Sequence, residues 1–160
     1  MKKRFPLSTL ILVLLIGLTS ITTTSCERTE AQGQVPNTTD MKNTGKKITI
    51  QAGKKTFTAT LLENETSEKF YSLLPLTVTM TDLNRNEKYY RLPQNLPTNA
   101  SNTGTIQNGD LMLWGANTVV IFYETFSTSY PYTRLGKIDN PDGLKEALGS
   151  GDITISFKKP

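Results

Sequence analysis

From residue 46 onward the chain is written largely in period two. In KKITIQA, Ile48 and Ile50 fall on one face; Gly53 then turns the chain, and in KKTFTATL the residues Phe57, Ala59 and Leu61 share a face. LTVTMTD alternates Leu76, Val78 and Met80 with threonines. Successive side chains of a strand point to opposite faces, so this alternation predicts half-buried antiparallel strands. Further strands are predicted at EKYYRL, DLMLW, NTVVIFYE and DITISF, with turn chemistry at Gln107-Asn108-Gly109-Asp110 and Gly115-Ala116-Asn117. Two segments break the pattern. ETSEKFYSLLP offers a cap at Thr66 or Ser67, Phe70, Leu73 and Leu74 at helical spacing, and Pro75 as a stop. NPDGLKEALGSG offers Pro141 near a helix start, Leu144 and Leu148 four apart, and Gly149 past the end. Many strands with two short helices predict a closed barrel with capped ends, which leaves few exposed sheet edges.

The first 45 residues read differently. Lys2, Lys3 and Arg4 precede an apolar run, strongest over Leu10 to Leu18, that is well short of the roughly 20 residues a spanning helix needs. A basic start, a short apolar segment and a small-residue exit predict an export signal over residues 1–25. Thr23, Thr24 and Ser25 then lead into Cys26, and this arrangement resembles the lipobox of bacterial lipoproteins, with Thr23 standing where an aliphatic residue is usual. The resemblance implies acylation of Cys26, hence a membrane partner through that lipid. A plain secretory signal is the alternative. Residues 27–45 carry almost no apolar content and cannot offset the entropy of ordering themselves, so 26–45 reads as a flexible tether. Residues 46–160 then form one domain. The stretch ERTEAQ after Cys26 is not strongly acidic, which points to a periplasm-facing position in the bacterial cell envelope.

Cleavage changes the charge argument. The whole chain is +4, with 18 basic and 14 acidic residues; without Lys2, Lys3 and Arg4 the balance is 15 against 14, or +1. No basic stripe remains to neutralise phosphates, so nucleic acid is not an expected partner. The sequence has no histidine and one cysteine, which removes zinc-type sites and the Ser-His-Asp and Cys-His mechanisms. No cofactor or metal is implied. Asp82, Glu87, Glu124 and Asp139 fall at strand ends and turns and read as solvated groups.

NGDLMLW, NTVVIFYE and TRLGKID followed by LKEAL resemble the closing strands and helix of cyclophilins. Taken in order, FTATLLEN, SLLPLTVTM, RLP, WGANTVVIFYE and LGKID resemble the bacterial cyclophilin-like domain family over Lys46 to Phe157. That resemblance implies a mainly β fold, a closed eight-stranded cyclophilin-like β-barrel with two short capping helices. It also implies a groove outside the barrel. A cyclophilin-type site holds a proline ring in an apolar pocket while an arginine donates toward the prolyl nitrogen, lowering a barrier of about 18–20 kcal/mol.

KYYRLP resembles the cyclophilin strand that carries this arginine, which makes Arg91 the candidate donor with Gln94 nearby. Alternation turns Tyr89 and Arg91 outward if Tyr90 and Leu92 face the core. Counting back from LGKI, the cyclophilin histidine position falls on Tyr132 and its tryptophan position near Ser127, so Phe126, Tyr130 and Tyr132 would form a different aromatic surface. Phe122 stands where a pocket phenylalanine would, and Trp114 reads as a core or rim residue. The polar connection 93–108, rich in Asn and Thr, lacks the large apolar groups of a proline pocket. The expected function is therefore a membrane-tethered binding or accessory module with little or no isomerase activity, its partner a proline-containing peptide or a small ligand. The alternative is a slow or restricted peptidyl-prolyl isomerase using Arg91.

Overall fold

The computed structural model describes residues 45–160. The export signal at 1–25, Cys26 and all but the last residue of the 26–45 tether lie outside the described residues. Nine strands are present: β1 (Lys47–Ala52), β2 (Lys55–Leu61), β3 (Leu76–Leu83), β4 (Glu87–Arg91), β5 (Ser101–Ile106), β6 (Asp110–Trp114), β7 (Thr118–Phe122), β8 (Phe126–Ile138) and β9 (Ile153–Lys158). Helix α1 (Glu65–Ser72) follows β2 and helix α2 (Leu144–Leu148) follows β8. All pairings are antiparallel, in the order β2-β1-β9-β3-β4-β7-β6-β8, and β8 pairs back onto β2. Eight strands thus close a ring, and β5 hangs from β8 outside it.

The period-two residues do what the alternation predicts. Ile48, Ile50, Ala59, Leu61, Met80, Ile121, Leu135, Ile155 and Phe157 bury their side chains in one main core. Both helices add to that core: Phe70 of α1 meets Phe157 edge-on at 5.6 Å, and Leu144 and Leu148 of α2 are buried. The cap of α1 is Asn64, not Thr66 or Ser67; its side chain accepts the Ser67 N–H at 2.8 Å. A residue placed before the first turn can reach an otherwise unpaired amide, which Thr66 and Ser67, already inside the helix, cannot. Ser67 instead donates to the Leu135 carbonyl at 2.7 Å.

Two features tie the ring. Lys88 of β4 points inward and is 0% exposed. Its ammonium donates to Asp82 at 2.5 Å and to the carbonyls of Gly149 and Gly151 at 2.9 and 2.6 Å, with the Tyr123 ring beside it. A buried cation is tolerated when each of its donors is satisfied. Where β2 meets β8, Gly136 passes so close that a Cβ would lie 2.3 Å from the Thr60 carbonyl oxygen.

The 93–108 connection is not all loop, and 126–132 is strand. Residues 101–106 form β5, which pairs with the first half of β8. Each carries a polar sequence because only one face of this two-stranded arm is covered.

Candidate functional site

β4 and β7 are paired with Glu87 opposite Phe122, Tyr89 opposite Val120 and Arg91 opposite Thr118. β6 continues two of these rows, with Met112 opposite Val120 and Trp114 opposite Thr118. Since the inward residues are Lys88, Tyr90, Val119 and Ile121, this set faces away from the main core. The arm of β5 and the start of β8 packs against that outer face. β8 stays paired with β6 as far as Thr133, across a register shift between Leu111 and Met112, and passes to β5 from Tyr132 back to Phe126.

A second, smaller core forms between arm and ring. Ile106, Met112, Val120, Phe122 and Tyr132 are buried in it, with Tyr89 and Phe126 packed against it. Phe122 anchors the cluster: the Tyr132 ring stands edge-on to it at 5.5 Å and the Phe126 ring is tilted to it at 5.6 Å. Arm and ring stop short of full contact, leaving a cleft of about 500 Å³. Its floor includes Val120 and Thr118, its β4 side Glu87, Tyr89 and Arg91, and its arm side Phe126, Tyr130 and Tyr132.

The sequence-derived candidates divide accordingly. Arg91, Phe126, Tyr130 and Tyr132 come together around the cleft. Phe122 lies beneath it, fully buried, and supports the wall instead of lining it. Gln94 is exposed and is not part of the cleft. The chain turns away before it, because the amides of Leu92 and Leu96 donate to the carbonyls of Asn117 and Ala116 at 2.7 Å each. Trp114 is 50% exposed at the rim, in the same cross-strand row as Arg91. Arg91 makes no ion pair with any described carboxylate.

Of the four carboxylates read as solvated, Asp139 and Glu124 do lie at the surface, whereas Asp82 and Glu87 are withdrawn. Asp82 pairs with Lys88, Asp139 with Lys47 at 2.7 Å, and Glu124 with Lys145. Hydrogen bonds from Lys88 and then Tyr123 hold the Asp82 carboxyl below its usual value. Glu87, read from the sequence as solvated, is 8% exposed and lines the cleft. Burial, and after it the charge of Asp82, pushes the Glu87 carboxyl up to about 7. Tyr132 is likewise raised, by burial first and then by Glu87. Among the described residues no three His, Cys, Asp or Glu side chains gather as metal ligands.

A closed antiparallel ring carrying an external cleft, with an arginine and aromatic side chains around it, defines a cyclophilin-like domain. The chain belongs to the cyclophilin-like family, whose family model matches residues 50–158. No curated protein matches it. Among solved structures, it is similar to the solution structure of a hypothetical protein from Archaeoglobus fulgidus, with a TM-score of 0.52, 15% sequence identity, and coverage of 72% of this chain and 95% of that one. At that identity the likeness concerns the fold alone.

Proposed function

We propose that this chain is a lipid-anchored, peptide-binding domain of the bacterial cell envelope, and that the cleft between arm and ring is its binding site. The observation that carries this reading is the cleft itself. At about 500 Å³ it falls within the range of ordinary ligand sites, and its walls combine aromatic side chains with a comparable number of polar ones. Tyrosine, phenylalanine and tryptophan offer rigid apolar surface at low entropic cost, which suits a short extended segment with a ring such as proline. The anchor rests on the N-terminal sequence through Cys26. Incorporation of a fatty-acid analogue, lost in Cys26→Ala together with membrane association, tests it; a soluble, unlabelled wild type would refute it.

One observation favours a second reading, in which the domain also turns the X-Pro bond it holds. Arg91 faces the cleft with no ion-pair partner among the described residues, so its N–H groups are available to a prolyl nitrogen. Exchange spectroscopy on the cis and trans signals of a short Ala-Pro peptide, with the full chain added in small amount, separates the readings. Exchange that appears with the chain and vanishes in Arg91→Ala establishes isomerisation. Binding without exchange leaves a capture domain, and no binding removes both.

A further inference from the structure

We propose that the cleft selects segments carrying a cationic side chain, with Glu87 as its counter-ion, about three or four residues from the position that Arg91 contacts. This rests on the peptide-binding reading above and specifies the class of peptide. Glu87 is more than nine-tenths buried, it lines the cleft, and its carboxyl makes no hydrogen bond or ion pair with a described side chain. The neighbouring acids are already occupied. Asp82 accepts from Lys88 at 2.5 Å and from the Tyr123 hydroxyl at 2.7 Å, and Asp110 accepts the Gln107 amide at 2.9 Å. A largely buried carboxyl that meets only the water of the cleft is costly to ionise, and it is the group that an incoming donor would satisfy.

The surroundings specify the donor's charge. The charged and titratable groups around Glu87 are Asp82 on β3, Lys88, Tyr89 and Arg91 on β4, Asp110 on β6, Tyr123 after β7, and Tyr132 on β8. Lys88 faces the ring interior, where Asp82 and two carbonyls hold its ammonium. Arg91 lies four residues along the strand and makes no ion pair with Glu87. An anionic ligand group at Glu87 would meet two carboxylates, whereas an ammonium or guanidinium would neutralise one and lie among the rings of Tyr89, Phe126 and Tyr132. Four residues of strand span about 13 Å, which an extended peptide covers in three to four residues.

The test uses the full chain in nonionic detergent and fluorescence anisotropy of labelled, end-capped peptides. The parent is an alanine peptide with one central proline; two others carry lysine three residues before or three residues after it, and a fourth replaces that lysine with glutamate. One lysine peptide is expected to bind about tenfold tighter than the parent at pH 8, as a charge-assisted contact provides. The advantage falls about fivefold by pH 6, as the Glu87 carboxyl takes up its proton. In Glu87→Gln the ratio of lysine to parent affinity falls to about one. Equal affinities for all peptides would overturn this inference and leave the peptide-binding reading standing. So would a lysine preference that survives Glu87→Gln, or binding that strengthens toward pH 6, which would make the protonated carboxyl a donor to a peptide carbonyl. Absence of binding by every peptide would overturn both readings.

Discussion

Glu87→Gln should make the protein more stable at alkaline pH. The wild-type carboxyl is 8% exposed and is raised from its ordinary 4.5 to about 7, first by burial and then by the charge of Asp82. Because the folded state binds this proton more tightly than the unfolded chain, the stability it contributes is complete below about pH 4.5 and is lost as the pH rises through 7. Each pH unit in that interval is about 1.4 kcal/mol, so an ionised Glu87 costs the fold about 3 kcal/mol at pH 8. Glutamine keeps the shape and never ionises. Urea titrations followed by far-ultraviolet circular dichroism should therefore show a gap in favour of the variant of under about 1 kcal/mol at pH 5 and about 3 kcal/mol at pH 8. A gap that stays constant across this range, or a variant less stable at pH 8, would refute the reasoning and place Glu87 in contact with water or with a cation. Confirmation would show that the cleft retains a carboxylate at the expense of stability, as functional sites commonly do.

Three other substitutions probe the frame around the cleft. Lys88→Met strands the Asp82 carboxylate and two glycine carbonyls, and should lose about 3 to 5 kcal/mol in the same titration. Asp82, held low by Lys88, contributes stability that is present above about pH 4 and lost on further acidification, so the variant should also show a shallower acid loss. Phe122→Ala empties the centre of the second core and should lose about 3 to 5 kcal/mol, with faster amide exchange in β5 and early β8 than in β1 and β9. Gly136→Ala drives a methyl group against the Thr60 carbonyl and the Leu61 Cα at 2.8 Å, so a loss of about 2 to 3 kcal/mol should appear together with faster exchange where β2 meets β8. A wild-type melting curve for any of these would contradict the contact named for it.

What could be read from the sequence followed the size of the core that each segment serves. Strands β1, β2, β3 and β9 bury one face in the main core, and their alternation is plain, whereas β6 and β7 are apolar on both faces because the smaller core covers the second one. SNTGTI and FSTSYPY bury mainly Ile106, Phe126 and Tyr132 in the smaller core, too few apolar positions to set a period. The arginine and the aromatic residues of the cleft were legible because alternation turned Arg91 outward and the family resemblance placed the rings beside it. Glu87 was not, although it shares the face of Tyr89 and Arg91. A charged outward residue reads as solvated until the arm that covers it is known. Lys88 shows the converse: its position in EKYYR puts it inward with Tyr90, but only the carbonyls after α2 explain how an ammonium can remain there. Gln94 was assigned by its nearness in sequence to Arg91, and backbone hydrogen bonds to the β6–β7 turn carry the chain elsewhere.

The place of β9 in the ring also sets an order of events during synthesis. It is the last strand made, yet it lies between β1 and β3, pairing Lys158 with Thr49 and Phe157 with Leu76. Until it emerges, the first and third strands have no common neighbour and the main core has no Ile155 or Phe157. The domain without β9 therefore has an incomplete core, and closure waits on pairings of high sequence separation, which form slowly. The threonines that β3 shows on its outer face, later bonded to Ser156, Thr154 and Asp152, keep that waiting strand polar on one side. The domain therefore closes as one unit, with its first and last strands side by side.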